Sequence, residues 1–592
     1  MSENTIPRSE YPRPQFVRND WVNLNGPWTY EFDFGKSGLE RGLQKSTGFK
    51  DTILVPFCPE SRLSGVGYVD FIESMFYHRK LAIPAAWAGK RILLHFGAVD
   101  YQCEGFINGT SCGVHYGGTS SFFFDLTEFV KAGEEYDFVL AVRDELRSAV
   151  QAGGKQCPYY YSAGCSYTRT TGIWQTVWME PVAKDGLKRC RIFPDLDAKA
   201  FHFTPFFFGE KQNRKFRVII SADGKITADK TVPANSATPF TVELGDDVRT
   251  WSPEDPFLYD IVYELIDADG TVSDTVTAYA GLRKIHIEGN KVFLNNKPIF
   301  QRLVLDQGFY PEGIWTAPGD EDLKKDIELS MAAGFNGARL HQKVFEERFH
   351  YWADKLGYLT WGESSSWGLS CFSDSTKLEK FYNSAWNFQS EWREIMERDL
   401  NHPSIITWSP SNEVWSYQDL PRYRRFMTEI YDLTKSIDPT RPCNETSGYH
   451  HVKTDLWTVH LYCPDAVTLK QKLYPEDSPV SFKNSDVECG YTGQPYINDE
   501  FGGFMYIPAE RQKFAANTWG YHGLDLKNED ELCAKIAEQV AIMINDDRIC
   551  GYCYTQLTDV EQEQNGVYNY DRTPKVSAGK LAAAFKEGKT LA

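Results

Sequence analysis

Two antiparallel β-sandwiches followed by an alternating β/α barrel are the fold this sequence predicts, on three observations. Short strands rich in aliphatic and aromatic residues, separated by turn residues, fill roughly the first 280 positions. After about Leu282 apolar strands alternate with amphipathic helical stretches instead. Eight candidate strands then occur across the remaining 300 or so residues, the number that closes a (β/α)8, or TIM, barrel.

The first sandwich is read from Arg91–Tyr101 and Tyr136–Asp144, with Asn108-Gly109 and Gly117-Gly118 supplying turn chemistry between them. Strands and turns repeat to about Glu180, which predicts a jelly roll over residues 1–181. Residues 182–282, including strands at Phe216–Ile220 and Phe257–Ile266, have the length of one immunoglobulin-like sandwich. Residues 283–592 form the third unit. Leu323, Ile327 and Met331 share one face of a helix that Gly334 ends, and Phe345, Phe349, Trp352 and Leu356 repeat the device before Gly357. The candidate barrel strands are 298–306, 334–341, 358–363, 404–413, 443–447, 455–462, 495–500 and 550–556. The 443–455 interval is too short for a full helix.

Composition narrows the function. With 63 basic and 81 acidic residues the formal charge is −18, which opposes nucleic acid and anionic membrane as partners. The 16 Trp, 32 Tyr and 38 Phe suit stacking on sugar rings, although such side chains also fill sandwich and barrel cores. No 18-residue apolar run occurs, and Met1–Pro7 has no basic segment leading into an apolar one, so a cytoplasmic protein is expected. Thirteen scattered cysteines fit reduced thiols, and the Cys550-x-x-Cys553 pair reads as buried strand residues rather than a zinc site. A homo-oligomer is compatible with the sequence.

Active sites of such barrels lie at the carboxyl ends of the strands. Two candidate strands end in a glutamate: Ile405-Ile406-Thr407-Trp408-Ser409-Pro410-Ser411-Asn412-Glu413 and Pro495-Tyr496-Ile497-Asn498-Asp499-Glu500. They are 87 residues apart, close to three βα units, which suits strands four and seven. Retaining glycosidases need two carboxyls about 5–5.5 Å apart, one to attack the anomeric carbon and one to protonate the leaving oxygen. Among 81 acids some strand-terminal pairs arise by chance, so spacing alone leaves a catalytic and an incidental pair equally open.

Further motifs resemble glycoside hydrolase family 2, the β-galactosidase and β-glucuronidase family, along essentially the whole chain. Arg13-Pro14 with Trp21-Val22-Asn23-Leu24-Asn25-Gly26-Pro27-Trp28 is similar to the opening of its sugar-binding jelly roll, and Thr171-Gly172-Ile173-Trp174-Gln175-Thr176-Val177-Trp178 to its close. Gly334-Phe335-Asn336-Gly337-Ala338-Arg339, Trp361-Gly362-Glu363, Asn412-Glu413 and Asn498-Asp499-Glu500-Phe501-Gly502 follow in the family's order. The resemblance implies Glu413 as general acid/base and Glu500 as nucleophile. It further implies Arg339 beside Glu500, Asn412 on the sugar 2-hydroxyl, and Tyr462 donating to the nucleophile. His460 is equally open to a structural and a substrate-binding role. Tyr554 falls where the family often has an aromatic platform, and the tyrosine-rich run Tyr159-Tyr160-Tyr161 with Tyr167 could lean over the mouth.

Three departures from the family pattern matter. His341 follows Arg339 by two residues instead of three, which leaves its role open. The first strand ends Leu303-Val304-Leu305-Asp306-Gln307, so Asp306 and Gln307 are expected to touch the sugar in their own way. Ser365 stands where magnesium-binding members have a histidine, so no catalytic metal and no cofactor are expected, and Glu363 keeps a hydrogen-bonding or structural role. The stretch Thr558–Val567 has no Lys after Asn565 and carries Asp559, Glu561 and Glu563, which points away from a uronic acid. The expected activity is thus exo-hydrolysis of a terminal neutral sugar, first a β-D-galactoside. The alternatives are α-L-arabinosides, β-galactofuranosides and β-glucuronides with the same mechanism, or a non-catalytic carbohydrate-binding protein.

Overall fold

The computed structural model describes residues 6–373, 377–414, 419–483, 486–511, 517–523 and 526–586. Met1–Thr5, part of the amino-terminal run read above, lie outside the described residues.

Two antiparallel sheets make the first sandwich. One has six strands, with Ser74–Ala82 and Glu135–Arg143 at its centre, and the other has four, built around Val177–Val182 and Arg91–Phe96. Their inner faces share one core that includes Trp28, Tyr77, Phe96 and Phe138. Asn108 and Gly109 both have positive φ, the conformation of a two-residue hairpin turn, and join Gln102–Ile107 to Thr110–Tyr116. A second sandwich follows, with a three-stranded sheet centred on Ala200–Phe207 and a four-stranded one containing Lys215–Ala222 and Tyr259–Ile266.

The carboxyl-terminal half is a parallel barrel. Seven strands lie in the order Ile405–Ser409, Leu359–Glu363, Gly337–Leu340, Gln301–Asp306, Ile549–Thr555, Tyr496–Gly502, Trp457–His460. The expected strand at 443–447 is present as a stave without a continuous ladder. It touches the fourth strand only through the parallel bridges Trp408 to Cys443 and Asn412 to Ser447. Around those bridges Asn444 N donates to the Trp408 carbonyl and Ser447 N to the Ser411 carbonyl, whereas toward the strand Trp457–His460 the links run through side chains: Thr458 Oγ1 donates to Asn444 Oδ1, and Gly448 N donates to Thr458 Oγ1. A barrel of eight staves results, seven of them continuous.

Barrel strands are covered on both faces, which is why they read as unbroken apolar runs. Leu303, Leu305, Leu359, Trp361, Ile406, Ile497 and Cys553 fill the interior. A hairpin of Ile285–Glu288 and Lys291–Leu294 packs Ile285, Val292 and Leu294 into the same cluster and so closes one end of the barrel. Val304, Ala338, Leu340, Phe501, Tyr552 and Tyr554 point the other way, into the layer of helices. In the helix Asp320–Ala332 the buried residues are Leu323, Asp326, Ile327 and Ser330, whereas Met331, expected on the core face, is 38% exposed. Phe345 precedes the helix Glu347–Leu356 rather than starting it, and Gly357 ends that helix in the left-handed conformation. All thirteen cysteines are free, with Cys550 and Cys553 buried. Among the described residues no helix is long and apolar enough to cross a membrane.

Candidate active site

The second strand carries the group that organises the mouth. Arg339 is fully buried, a position a guanidinium tolerates only when its donors are satisfied. It donates to Glu363 Oε2 (2.9 Å), Glu500 Oε1 (3.1 Å), the Asp499 carbonyl (2.7 Å) and Asn412 Oδ1 (3.0 Å). One side chain thereby ties the second, third, fourth and seventh strands together. Glu363 is spent within the protein, because its Oε1 accepts from Gln342 N at 3.1 Å and lies 3.0 Å from His341 Nδ1. Burial lowers the His341 pKa, and the nearby Glu363 carboxylate opposes that shift.

Glu500 accepts from Arg339 on one oxygen and from the Tyr462 hydroxyl (2.5 Å) on the other. Tyr462 stacks flat on Tyr521, with centroids 3.6 Å apart, and its oxygen also meets Thr555 Oγ1 at 2.9 Å. Burial alone would raise the Glu500 pKa, but the charges of His460, Arg339, His341 and Lys155 outweigh it and hold the carboxyl well below the usual range. Glu413 faces it from the end of the fourth strand. Its backbone is held at φ +51° by a hydrogen bond from its N–H to the Ser447 carbonyl (3.0 Å). A non-glycine residue there is strained, and such strain gathers at functional sites. Glu413 Oε1 lies 2.6 Å from His460 Nδ1, and ligand-type atoms of Glu413, His460 and Glu500 are all within 4.8 Å of one another. One oxygen of each carboxylate therefore lies within 4.8 Å of the other, which is compatible with the arrangement of a double-displacement glycosidase, whose carboxyls are about 5–5.5 Å apart.

His460 is fully engaged by the protein: its other nitrogen meets Ser447 Oγ at 2.9 Å. Burial would lower its pKa, yet the carboxylates of Glu500, Asp499 and Glu413 raise it. Asn412 is different. Its Oδ1 accepts from Arg339, but its buried Nδ2 has no partner, so one amide donor remains for a ligand.

Two expected sugar contacts are corrected. Leu303 and Leu305 face the interior, so by strand alternation Asp306 points outward. There it accepts from Gly308 N (2.9 Å), close to Asp326 and the Arg572 that clamps it, and burial with the Asp326 charge pushes its pKa up to about 7. Tyr554 also faces outward, buried against Phe501 and Phe585, and forms no platform under the mouth.

The jelly roll supplies the far wall. Tyr167 donates to Glu563 Oε2 (2.6 Å) and accepts from Gln307 Nε2 (3.2 Å). Thr168 N donates to Glu561, Gln562 donates to the Gly164 carbonyl (2.7 Å), and Trp519 Nε1 donates to the same carbonyl (2.8 Å). Tyr159, Tyr160 and Tyr161 remain exposed beyond this seam. The sequence reading passed over Lys155 and Trp367. The Lys155 ammonium lies 4.2 Å above the Trp367 ring, and Trp367 Nε1 donates to the Asn412 carbonyl at 3.2 Å. The signal for it was the Gly153-Gly154 pair just before Lys155, which marks a close backbone approach. Of the three acids after the eighth strand, Asp559 is bound by Lys575 (2.6 Å), Glu561 caps Thr168, and Glu563 is near enough to feel both Lys155 and Glu500.

Glu413, His460 and Glu500 are the one grouping of three metal-ligand types among the described residues. Both nitrogens of His460 and both oxygens of Glu500 already have protein partners, and the Arg339 guanidinium adjoins the same space. A divalent ion would have to break these bonds beside a fixed positive charge.

Comparison with known proteins adds the following. Three family models match: Glycosyl hydrolases family 2, sugar binding domain, over residues 70–153; Glycosyl hydrolases family 2, over 199–283; and Glycosyl hydrolases family 2, TIM barrel domain, over 285–587. Among similar curated proteins is a putative beta-glucuronidase of Formosa agariphila, 27% identical over 62% of this chain and 44% of that protein. Others are a beta-glucuronidase of Paenibacillus borealis (23%; 73% and 74%) and a beta-galactosidase of Thermoanaerobacter pseudethanolicus (23%; 82% and 61%). The chain thus spans less than two thirds of the length of two of these three. A β-glucuronidase from Ruminococcus gnavus, solved with D-glucuronic acid, has the same fold with a TM-score of 0.77, 18% identity, and coverage of 98% of this chain and 100% of that one.

Dialysis against EDTA is expected to leave glycoside turnover unchanged, and added Mg²⁺ to restore nothing. A severalfold loss recovered only with Mg²⁺ would contradict this account of the cluster.

Proposed function

This chain belongs to glycoside hydrolase family 2, and we propose that it is a retaining exo-glycosidase that removes one terminal neutral sugar, a β-D-galactosyl residue first. The observation that carries the reading is the Glu413–Glu500 pair, with one member pinned by Arg339 and Tyr462 and the other free of both. In the first step a Glu500 oxygen bonds to the anomeric carbon, the glycosidic bond breaks, and the Glu413 proton passes to the leaving oxygen. In the second, water attacks that carbon, its proton goes to Glu413, and the ester bond to Glu500 breaks. His460 and Arg339 keep Glu500 ionised for attack, and Tyr462 donates to its second oxygen. The free Asn412 Nδ2 suits the sugar 2-hydroxyl, a contact that strengthens as positive charge grows on the ring. Exo-action is supported by the jelly-roll wall, which a seam of hydrogen bonds joins to one side of the barrel mouth.

Neutrality is supported by charge. Five carboxylates gather at the mouth, Glu363, Asp499, Glu500, Glu413 and Glu563, against the cations Arg339, Lys155 and Lys483. A sugar carboxylate would enter against that excess, whereas hydroxyls can both donate to Glu563 and accept from Lys155. A β-glucuronoside is the second reading. Lys155 favours it, since no carboxylate lies within ion-pair distance of its ammonium among the described residues, and relatives named for glucuronides as well as galactosides agree with either.

Glu500→Ala is expected to lose at least about a thousandfold in kcat. Glu413→Ala should instead keep turnover of dinitrophenyl glycosides while losing that of methyl glycosides, because a good leaving group needs little protonation. Near-wild-type activity of Glu500→Ala would refute the assignment. On p-nitrophenyl β-D-galactopyranoside, α-L-arabinopyranoside, β-D-galactofuranoside and β-D-glucuronide, a neutral glycoside should exceed the glucuronide in kcat/KM by about tenfold or more, ~1.4 kcal/mol. If the glucuronide is the best substrate, the second reading replaces the first.

A further inference from the structure

We propose that Lys155, carried into the barrel mouth by the jelly roll, is the residue that reads the glycone, its ammonium donating to an oxygen on the sugar ring away from the scissile bond. This rests on the exo-glycosidase reading above and extends it from the reacting carboxylates to specificity.

The backbone around Lys155 is fixed. Gly153 N and Gly154 N both donate to the Trp367 carbonyl, at 2.8 and 3.2 Å, and Tyr167 N donates to the Lys155 carbonyl at 2.7 Å. Gly154 has φ +56°, and a Cβ there would come within 2.2 Å of the Gln342 carbonyl oxygen. Only glycine lets the jelly-roll loop lie this close to the barrel, one residue before the lysine.

The ammonium has no hydrogen-bond acceptor among the described residues, although Lys155 is only 6% exposed. The other buried lysines show what satisfaction looks like. Lys343 donates to the carbonyls of Gly308 and Trp315 at 2.5 and 2.6 Å, and Lys575 donates to Asp559 at 2.6 Å. Lys155 instead rests on the face of Trp367, a cation–π contact that holds the stem and leaves the N–H groups free. Trp367 is bonded to the Asn412 carbonyl, so the ammonium is one indole ring from the Asn412-Glu413 pair. Burial alone would lower its pKa, but Cys165, Glu563, Glu500 and Glu413 raise it, so the group stays charged. A largely buried ammonium with unused donors, within electrostatic reach of the two reacting carboxylates, is a recognition group.

The acceptor is an oxygen, either a hydroxyl of a neutral sugar or a carboxylate of a uronic acid, and the test separates them. Lys155→Met, Lys155→Gln and Lys155→Arg are compared with wild type on the four p-nitrophenyl glycosides, with thermal melting as the check on folding. Lys155→Met and Lys155→Gln are expected to lose about 10- to 150-fold in kcat/KM on the best substrate, the range for a hydrogen bond from a charged group. The ranking among glycosides should change, while the ratio of dinitrophenyl to methyl glycoside rates stays at the wild-type value because proton transfer is untouched. A loss concentrated on the glucuronide and partly restored by Lys155→Arg identifies a carboxylate. A loss on the neutral sugars identifies a hydroxyl. Lys155→Gln or Lys155→Met within threefold of wild type on every substrate, with a native melt, overturns the proposal. A wild-type protein that turns over no glycoside sinks the exo-glycosidase reading, a separate result. If Lys155→Met does not fold, Lys155→Gln, which keeps a polar head of similar reach, decides.

Discussion

The Arg339 guanidinium is the charge on which the rest of the mouth depends. Buried at the end of the second strand, it has to be surrounded by acceptors, and the sequence supplies them from three other strands: Glu363, Asn412, and Asp499 with Glu500. Removing any one leaves a buried donor unmet, which costs more than the bond itself contributes. The same demand fixes the chemistry. Burial raises the Glu500 pKa, but the charges of His460 and Arg339 lower it by more and keep it ionised, and Asn412 is turned so that its amide oxygen meets Arg339 and its amide nitrogen is left without a partner. Stability of the barrel top and readiness for reaction are one arrangement of hydrogen bonds.

Much of this was legible in the sequence, because family motifs report residues whose roles are chemical and local. Arg339, Asn412, Glu413, Tyr462 and Glu500 lie in short runs that end strands, and the barrel brings them together. What the sequence hid depends on direction and on distance along the chain. Asp306 and Tyr554 sit at strand ends too, but strand alternation turns both toward the helices, and a motif position does not state which face a side chain takes. The stave at 443–447 reads as a strand by composition, yet it meets the strand Trp457–His460 through the side chains of Asn444 and Thr458 rather than through a ladder, which no periodicity reveals. Lys155 and Glu563 are about 400 residues apart, and only the docking of one domain on another makes them neighbours.

The three units divide the work. The barrel provides the reacting groups on rigid strand ends, closed at the opposite end by the 285–294 hairpin. The jelly roll adds a wall, through Tyr167 on Glu563 and through Lys155 over Trp367. Placing specificity on a loop of one domain and chemistry on the strands of another lets one change without disturbing the other.

The central claim is that Glu500, held ionised by the charges of His460 and Arg339, forms a covalent bond to the sugar. Incubation with a 2-deoxy-2-fluoro glycoside bearing a dinitrophenolate leaving group, built on the best sugar found, slows breakdown of that intermediate enough to isolate it. Mass spectrometry of the intact protein should show the addition of one fluorosugar, and the digest should place it on the peptide containing Glu500. A label on another carboxylate, or inactivation with no added mass while the normal glycoside is still hydrolysed, would contradict the account.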